Sequence, residues 1–388
     1  MANTARRFSF QEEFAHRLVS TLFEDELVAE IQCKTIFAKF KERGILPTDP
    51  RLQTLHQDLD DLHVVTRDKL FEIIPRNLEM FKKLGSQKLA IPNFTDFKHR
   101  ITSIYERVKP NQQGKVATYI PQIAKANPDH FAVSICTIDG QQLHLGECDH
   151  DFSIQSCSKI INYCIALEQH GEDIVHRYVG KEPSGVEFNA ITLDKHSLPH
   201  NPCTNAGAIM VCSLMGRDTM ELDYYSRDSE QQNEQKNSET ESSVHASPTH
   251  PSISRQASAT TTSLPFQTTV FEVDRFELVS KIWNRLFAGN KILFSNAVYL
   301  SERATGHRNW ALGHFLCEQK PGFPPHTHLK GVMEFYFQCC SLEATTRKLS
   351  LAAAALANGG VHPLTGDYIF KPETVRDCLS VMWMCGMY

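Results

Sequence analysis

The sequence predicts a helical N-terminal domain followed by a mixed α/β domain. Three observations carry this prediction. Apolar residues recur at helical spacing from about Phe10 to Val108. At Phe131 the period changes, and Phe-Ala-Val-Ser-Ile-Cys-Thr-Ile alternates as a half-buried strand does. An Asp139-Gly140 pair then separates that run from Gln-Gln-Leu-His-Leu-Gly, which is the signature of a β-hairpin. The expected boundaries are residues 1–115 for the helical domain and 116–388 for the α/β domain.

In the helical part, Leu27, Ile31, Ile36 and Phe37 recur at turn spacing between Glu26 and Phe40, and Gly44 is placed as a helix stop. A second helix is expected after Pro50 and a third from about Arg67. Helix–loop–helix units of this size resemble an EF-hand. No D-x-[DN]-x-[DN]-G loop occurs, so no calcium site is expected. Beyond the hairpin, Ile160 to Leu167 reads as a buried helix. Residues 226–265 contain no aromatic residue and are crowded with Ser, Thr, Gln, Glu and Asn. Such a segment buries too little apolar surface to offset its ordering entropy, and it reads as a disordered insertion. A helical pattern resumes from Phe271 to Phe287.

The totals narrow the function. At 388 residues the chain has the length of about two domains. Its formal charge of −5 argues against a nucleic-acid-binding surface. No apolar run approaches the ~20 residues of a membrane helix. The twelve cysteines include no C-x-x-C pair, so neither a zinc module nor a redox motif is expected. The thiols read as reduced and intracellular, with Cys339 and Cys340 in the core. Arg6 and Arg7 are followed by Glu12 and Glu13, a poor transit peptide because such segments avoid acids.

One tetrad can carry chemistry. Ser156-Cys-Ser-Lys159 is the only S-x-x-K in the chain, and it opens the apolar stretch after the hairpin. A serine with a lysine three residues on presents both side chains on one helix face. A buried lysine loses proton affinity and can accept the serine proton. The plainer reading of the same tetrad is an N-cap serine and a snorkelling lysine.

Further blocks resemble the serine-dependent glutaminase family. They are Tyr119-Ile-Pro-Gln-Ile-Ala, His176 to Gly185, Phe188-Asn189, Pro199-His-Asn-Pro202 and Asn205-Ala-Gly-Ala-Ile209, in family order. Ser301-Glu302-Arg303 with Gly306, Arg308 and Asn309, then Phe335 to Gln338, Leu356 to Gly360 and Cys385 to Tyr388 continue the match. The resemblance implies a β-lactamase-like mixed sheet flanked by helices, and hydrolysis of L-glutamine to L-glutamate and ammonia through an acyl-enzyme. It implies Ser156 as nucleophile, Lys159 as base and proton shuttle, and Tyr388 as the catalytic tyrosine. Tyr119, Ser156, Asn205, Glu302, Asn309, Tyr336 and Tyr388 fall on the glutamine-binding positions. It implies no metal or organic cofactor, phosphate as an activator, a homo-tetramer that can polymerise, and a mitochondrial location, with a cytoplasmic one as the alternative. Without the resemblance, Tyr336 reads as core, Asn205 as a helix cap, and Glu302 as half of a surface pair. Family members continue beyond the position of Tyr388 through a Lys-Ser-Gly motif and closing strands, and no K-[ST]-G occurs here. The expectation is therefore a C-terminally truncated chain. Its rival reading is a non-catalytic isoform that assembles with full-length subunits and regulates them.

Overall fold

A computed structural model describes residues 15, 18, 19, 30–85, 88–218, 222 and 268–386. The expected disordered insertion at 226–265, the acidic and basic residues at the N-terminus, and Tyr388 lie outside these residues. Buried apolar side chains fall into two clusters.

The first cluster gathers Ile36, Phe40, Leu55, Ile73 and Phe81 from helices α1 (Cys33–Glu42), α2 (Gln53–Leu59), α3 (Arg67–Arg76) and α4 (Leu78–Gly85), with Leu52 from the 3-10 turn Pro50–Leu52. Thr66 caps α3 by accepting from Lys69 N at 3.2 Å, the usual way to satisfy an orphan helix donor. Gly44 ends the α1 turn, its N–H bonded to Lys41 O at 3.0 Å. The helical run expected from Glu26 onward needs one correction. Residues Glu30–Gln32 form a strand, β1, paired antiparallel with β2 (Val64–Thr66), so that Ile31 faces Val65. Both central residues are buried and their neighbours exposed. The pairing buries Ile31 as well as a helix would, and it satisfies the backbone across the two loops.

Helix α5 (Phe94–Val108) leads to the hairpin, which forms as the Asp-Gly signal requires. Strand β3 (Ala132–Cys136) pairs with β4 (Gln142–Gly146), with Cys136 opposite Gln142. Gly140 sits in the left-handed region at φ 86°, its N–H on Thr137 O at 3.0 Å. The hairpin tip docks on the helical region. Arg51 holds Asp49 with two guanidinium bonds of 2.9 and 2.7 Å and donates onward to Asp139 O at 2.8 Å. Gln141, fully buried, donates to Arg43 O and Ile91 O.

The second cluster is built on helices. They are α6 (Ser158–His170), α7 (Glu172–Val175), α8 (Asn205–Leu214), α9 (Thr268–Leu286), α10 (Asn296–Thr305), α11 (His307–Glu318), α12 (Leu329–Cys340), α13 (Thr346–Ala357) and α14 (Pro372–Cys385). Every residue of α8 is buried, because its sequence is apolar on all sides, and α6, α11 and α12 pack around it. Gly207 lets it approach the preceding loop. A Cβ there would lie 1.9 Å from Asn201 O. Strands β5 (Phe152–Ser153), β6 (Leu293–Phe294) and β7 (Leu342–Ala344) form an antiparallel sheet in the order β5-β7-β6. The described strands thus fall into three small antiparallel sheets rather than one continuous mixed sheet. Cys339 and Cys340 lie in the core, as expected. No described helix is long and apolar enough to cross a membrane.

Candidate active site

Ser156 is delivered by a strand end and a strained turn. After β5, Ile154 N extends the ladder to Leu342 O at 2.8 Å. Gln155 then takes a left-handed backbone at φ 47°. For a residue with a Cβ this costs on the order of 1–2 kcal/mol, so surrounding contacts must hold it. They do: Gln155 Nε2 donates to Ser153 Oγ and to Cys340 O, both at 3.1 Å. The chain continues as a 3-10 turn, Gln155–Cys157, directly into α6. Ser156 therefore precedes the α-helix rather than lying in its first turn. Its side chain is exposed and makes no hydrogen bond among the described residues.

Lys159 lies one residue inside α6 and is only 5% exposed. Its Nζ donates to Asn205 Oδ1 at 2.7 Å and to Cys203 O at 3.0 Å, and it stands 5.6 Å from the Phe188 ring centroid. Burial is the main influence on it and lowers its pKa to about 8. No carboxylate among the described residues is paired with it. Ser156 and Lys159 share a cavity of about 280 Å³ with Ile160, Phe188 and Cys203, although no hydrogen bond joins the two side chains.

Ser156 also borders a second cavity, of about 480 Å³. Tyr119, Asn205, Glu302, Asn309 and Tyr336 all line it, so the structure brings together every described glutamine-binding residue named from the resemblance, while Lys159 lines only the smaller cavity. Asn205 opens α8 beside its cap Thr204, and its Nδ2 donates to Asn309 Oδ1 at 2.8 Å. The chain Lys159–Asn205–Asn309 is thus continuous. Glu302, on the inner face of α10, is 1% exposed. Tyr119 OH bonds its Oε1 at 2.5 Å, whereas Oε2 is buried with no hydrogen-bond partner among the described residues. Burial pushes the Glu302 carboxyl up, and hydrogen bonds from its neighbours only partly offset this. The Tyr119 ring is 54% exposed, but its hydroxyl is tucked against Glu302 and Gln155 Oε1. Burial first, and the Glu302 charge second, push the Tyr119 phenol well up. Tyr336 is 4% exposed and also raised by burial, beside Cys340 and Glu302.

Sequence reasoning missed Gln155, Arg308 and Cys340 as cavity walls, and Phe188 as the wall common to both cavities. Arg308 was visible as a matching position and stands exposed at the rim, donating to Asn189 O at 3.4 Å. The Gln155 conformation carries no compositional signal, because left-handed backbone usually announces itself with glycine. No group of three or more His, Cys, Asp or Glu among the described residues is arranged to hold a metal. Chemically, the site offers a free hydroxyl, a lysine that is partly neutral near physiological pH, and a buried carboxylate oxygen with nothing to balance it.

Comparison with known proteins points to one family. A family model described as Glutaminase matches residues 114–262 and 228–388. The chain is 34% identical over 373 residues to the mitochondrial glutaminase liver isoform of Mus musculus, covering 93% of this chain and 53% of that protein. It is 35% identical over 289 residues to a glutaminase of Nostoc sp., covering 74% of this chain and 70% of that protein. A solved structure titled as a crystal structure analysis of Mglu in its native form superposes with a TM-score of 0.55. The two are 26% identical, and the match covers 74% of this chain and 56% of that one. The chain spans about half the length of the mammalian relatives it matches.

Proposed function

The chain belongs to the glutaminase family, and from that premise we propose that it hydrolyses L-glutamine to L-glutamate and ammonia with Ser156 as nucleophile. The observation that carries this is one cavity lined both by a serine hydroxyl that makes no hydrogen bond and by a buried, half-satisfied carboxylate, among the described residues. Glutamine has the matching chemistry, a cationic α-ammonium at one end and an amide carbonyl at the other.

In this reading Glu302 Oε2 accepts from the α-ammonium, which supplies the charge its burial lacks. Tyr119 and Tyr336 flank that carboxylate. Asn205, Asn309 and the rim cation Arg308 offer donors to the α-carboxylate. Ser156 Oγ attacks the side-chain amide carbon while Lys159, neutral in the reactive fraction, takes the hydroxyl proton. The C–N bond breaks as Lys159 returns that proton to the departing nitrogen. Water then attacks the Ser156 ester, with Lys159 as base, and releases glutamate. Tyr388 is assigned to the oxyanion side by the resemblance alone.

The same premise supports the finer architecture. We read residues 116–388 as a β-lactamase-like domain and residues 1–115 as an EF-hand-like helical domain whose loops pair through β1 and β2. A mitochondrial location, a homo-tetrameric assembly and activation by phosphate belong to this reading too, with no cofactor required. A coupled assay for glutamate tests the proposal. The purified chain forms glutamate from L-glutamine, and Ser156→Ala does not. Glutamate formation that survives in Ser156→Ala, or none with the unaltered chain, overturns it.

A further inference from the structure

Ser156 stands at the junction of two cavities, and the second is larger than the departing ammonia of glutamine requires. The 480 Å³ cavity holds the groups suited to the amino-acid end of a substrate, yet Lys159 is not among its walls. Lys159 borders the 280 Å³ cavity on the other side of Phe188. The group that protonates a leaving nitrogen must lie beside that nitrogen. A substrate seated against Glu302 and attacked by Ser156 therefore directs its leaving nitrogen toward Lys159, into the 280 Å³ cavity. Ammonia is close in size to water, whose share of liquid volume is about 30 Å³. The space available is several times larger. Its remaining walls are Ile160, the Phe188 ring and Cys203, and an apolar cavity of about 150 Å³ already holds benzene.

Resting on the glutaminase reading, we propose that this cavity is a leaving-group subsite, and that the protein accepts γ-N-substituted glutamines, the γ-glutamyl amides of small alkyl or aryl amines. The chemistry balances as it does for glutamine. Ser156 Oγ bonds to the γ-carbonyl carbon, the C–N bond breaks, and Lys159 delivers the serine proton to the nitrogen. The free amine leaves, and water hydrolyses the ester to glutamate. The substituent stays on nitrogen throughout and is held by Ile160 and Phe188, where its burial contributes binding that ammonia cannot.

L-γ-Glutamyl anilide is the probe, with released aniline quantified by chromatography beside glutamate formed from L-glutamine. The full chain releases aniline with a kcat/KM within roughly tenfold of that for L-glutamine. Ile160→Trp fills the cavity and lowers kcat/KM for the anilide by roughly tenfold more than it lowers that for L-glutamine. Hydrolysis of glutamine without any of the anilide overturns the subsite, and so does an equal fall for both substrates in Ile160→Trp. Where Ile160→Trp does not fold, Ile160→Ala serves instead. It raises the preference for a p-tert-butylanilide over the plain anilide, and an unchanged preference overturns the inference. Ligand-induced thermal stabilisation of Ser156→Ala separates the subsite from the reading beneath it. Stabilisation by both compounds supports the subsite. Stabilisation by L-glutamine but not by the anilide overturns the subsite alone, and stabilisation by neither overturns both.

Discussion

The contact between the helical region and the hairpin and the cleft around Ser156 both bury charge, but they treat it in opposite ways. At the contact, the Asp49 side chain is fully buried and is met by two guanidinium bonds and the Arg51 N–H. The remaining Arg51 nitrogen donates to Asp139 O and Pro363 O. In the cleft, among the described residues, Lys159 faces two neutral oxygens and no carboxylate, and Glu302 keeps one oxygen without a partner. The two cleft charges belong to different hydrogen-bonded groups, Lys159 with Asn205 and Glu302 with Tyr119. A buried charge without an opposite charge is a standing cost that evolution usually removes. In the proposed reading it is retained because a zwitterionic glutamine has the complementary groups. The first arrangement makes structure; the second leaves chemistry undone until a ligand arrives.

Four substitutions sharpen this contrast, and the largest effect is on turnover. Lys159→Ala lowers kcat/KM for L-glutamine by roughly 10⁴-fold. The residual rate climbs with pH as hydroxide takes over from the lysine, which initial rates across a pH series reveal. An activity loss of only a few-fold would return Lys159 to a structural role. Asp49→Ala strands the Arg51 guanidinium and destabilises the fold by about 3–5 kcal/mol, read by urea unfolding. A loss below 1 kcal/mol would remove the distinction between contact and cleft.

The next effect is one of linkage. Lys159 has a folded pKa of about 8 against an ordinary 10.5. Between these values the unfolded chain binds more protons than the folded one, so stability rises with pH across that window. Relative to Lys159→Met, the unaltered protein gains roughly 3 kcal/mol between pH 8 and 10.5. Parallel stability curves for the two proteins would contradict the burial argument. The smallest effect belongs to Glu302. Its raised pKa has the opposite sign, and stability falls as pH climbs through it. Glu302→Gln stabilises the ligand-free protein at neutral pH by about 1–3 kcal/mol, because a buried unpaired charge is gone. The same change removes the thermal stabilisation given by L-glutamine. A destabilised Glu302→Gln that still responds to glutamine would place the amino-acid end elsewhere.

Much of the local structure could be read in advance, because it depends on near neighbours. Asp139-Gly140 specified the hairpin, and Thr66, Asn93 and Thr204 cap helices by side-chain bonds to residues three positions on. The β1–β2 pairing escaped because Ile31 satisfies a helical period and an alternating one equally well. The Arg51 clamp escaped because its acceptors lie 88 and 312 residues away. The site divides in the same way. Ser156 and Lys159 are three residues apart, and their shared cavity follows from that spacing. Tyr119 and Glu302 are 183 residues apart, and only the resemblance joined them before the structure did. Read alone, Glu302 suggested a surface ion pair, but it is buried and has no cationic partner. Tyr336 is core and cavity wall at once, so the two readings of it were not exclusive.

The covalent bond proposed at Ser156 is open to intact-mass spectrometry. The purified protein is incubated with an electrophilic glutamine analogue, 6-diazo-5-oxo-norleucine, and the labelled peptide is sequenced. One equivalent of adduct is expected on Ser156, slowed by excess L-glutamine and absent in Ser156→Ala. An adduct on the exposed neighbour Cys157 or on any other residue, with turnover intact in Ser156→Ala, would contradict it.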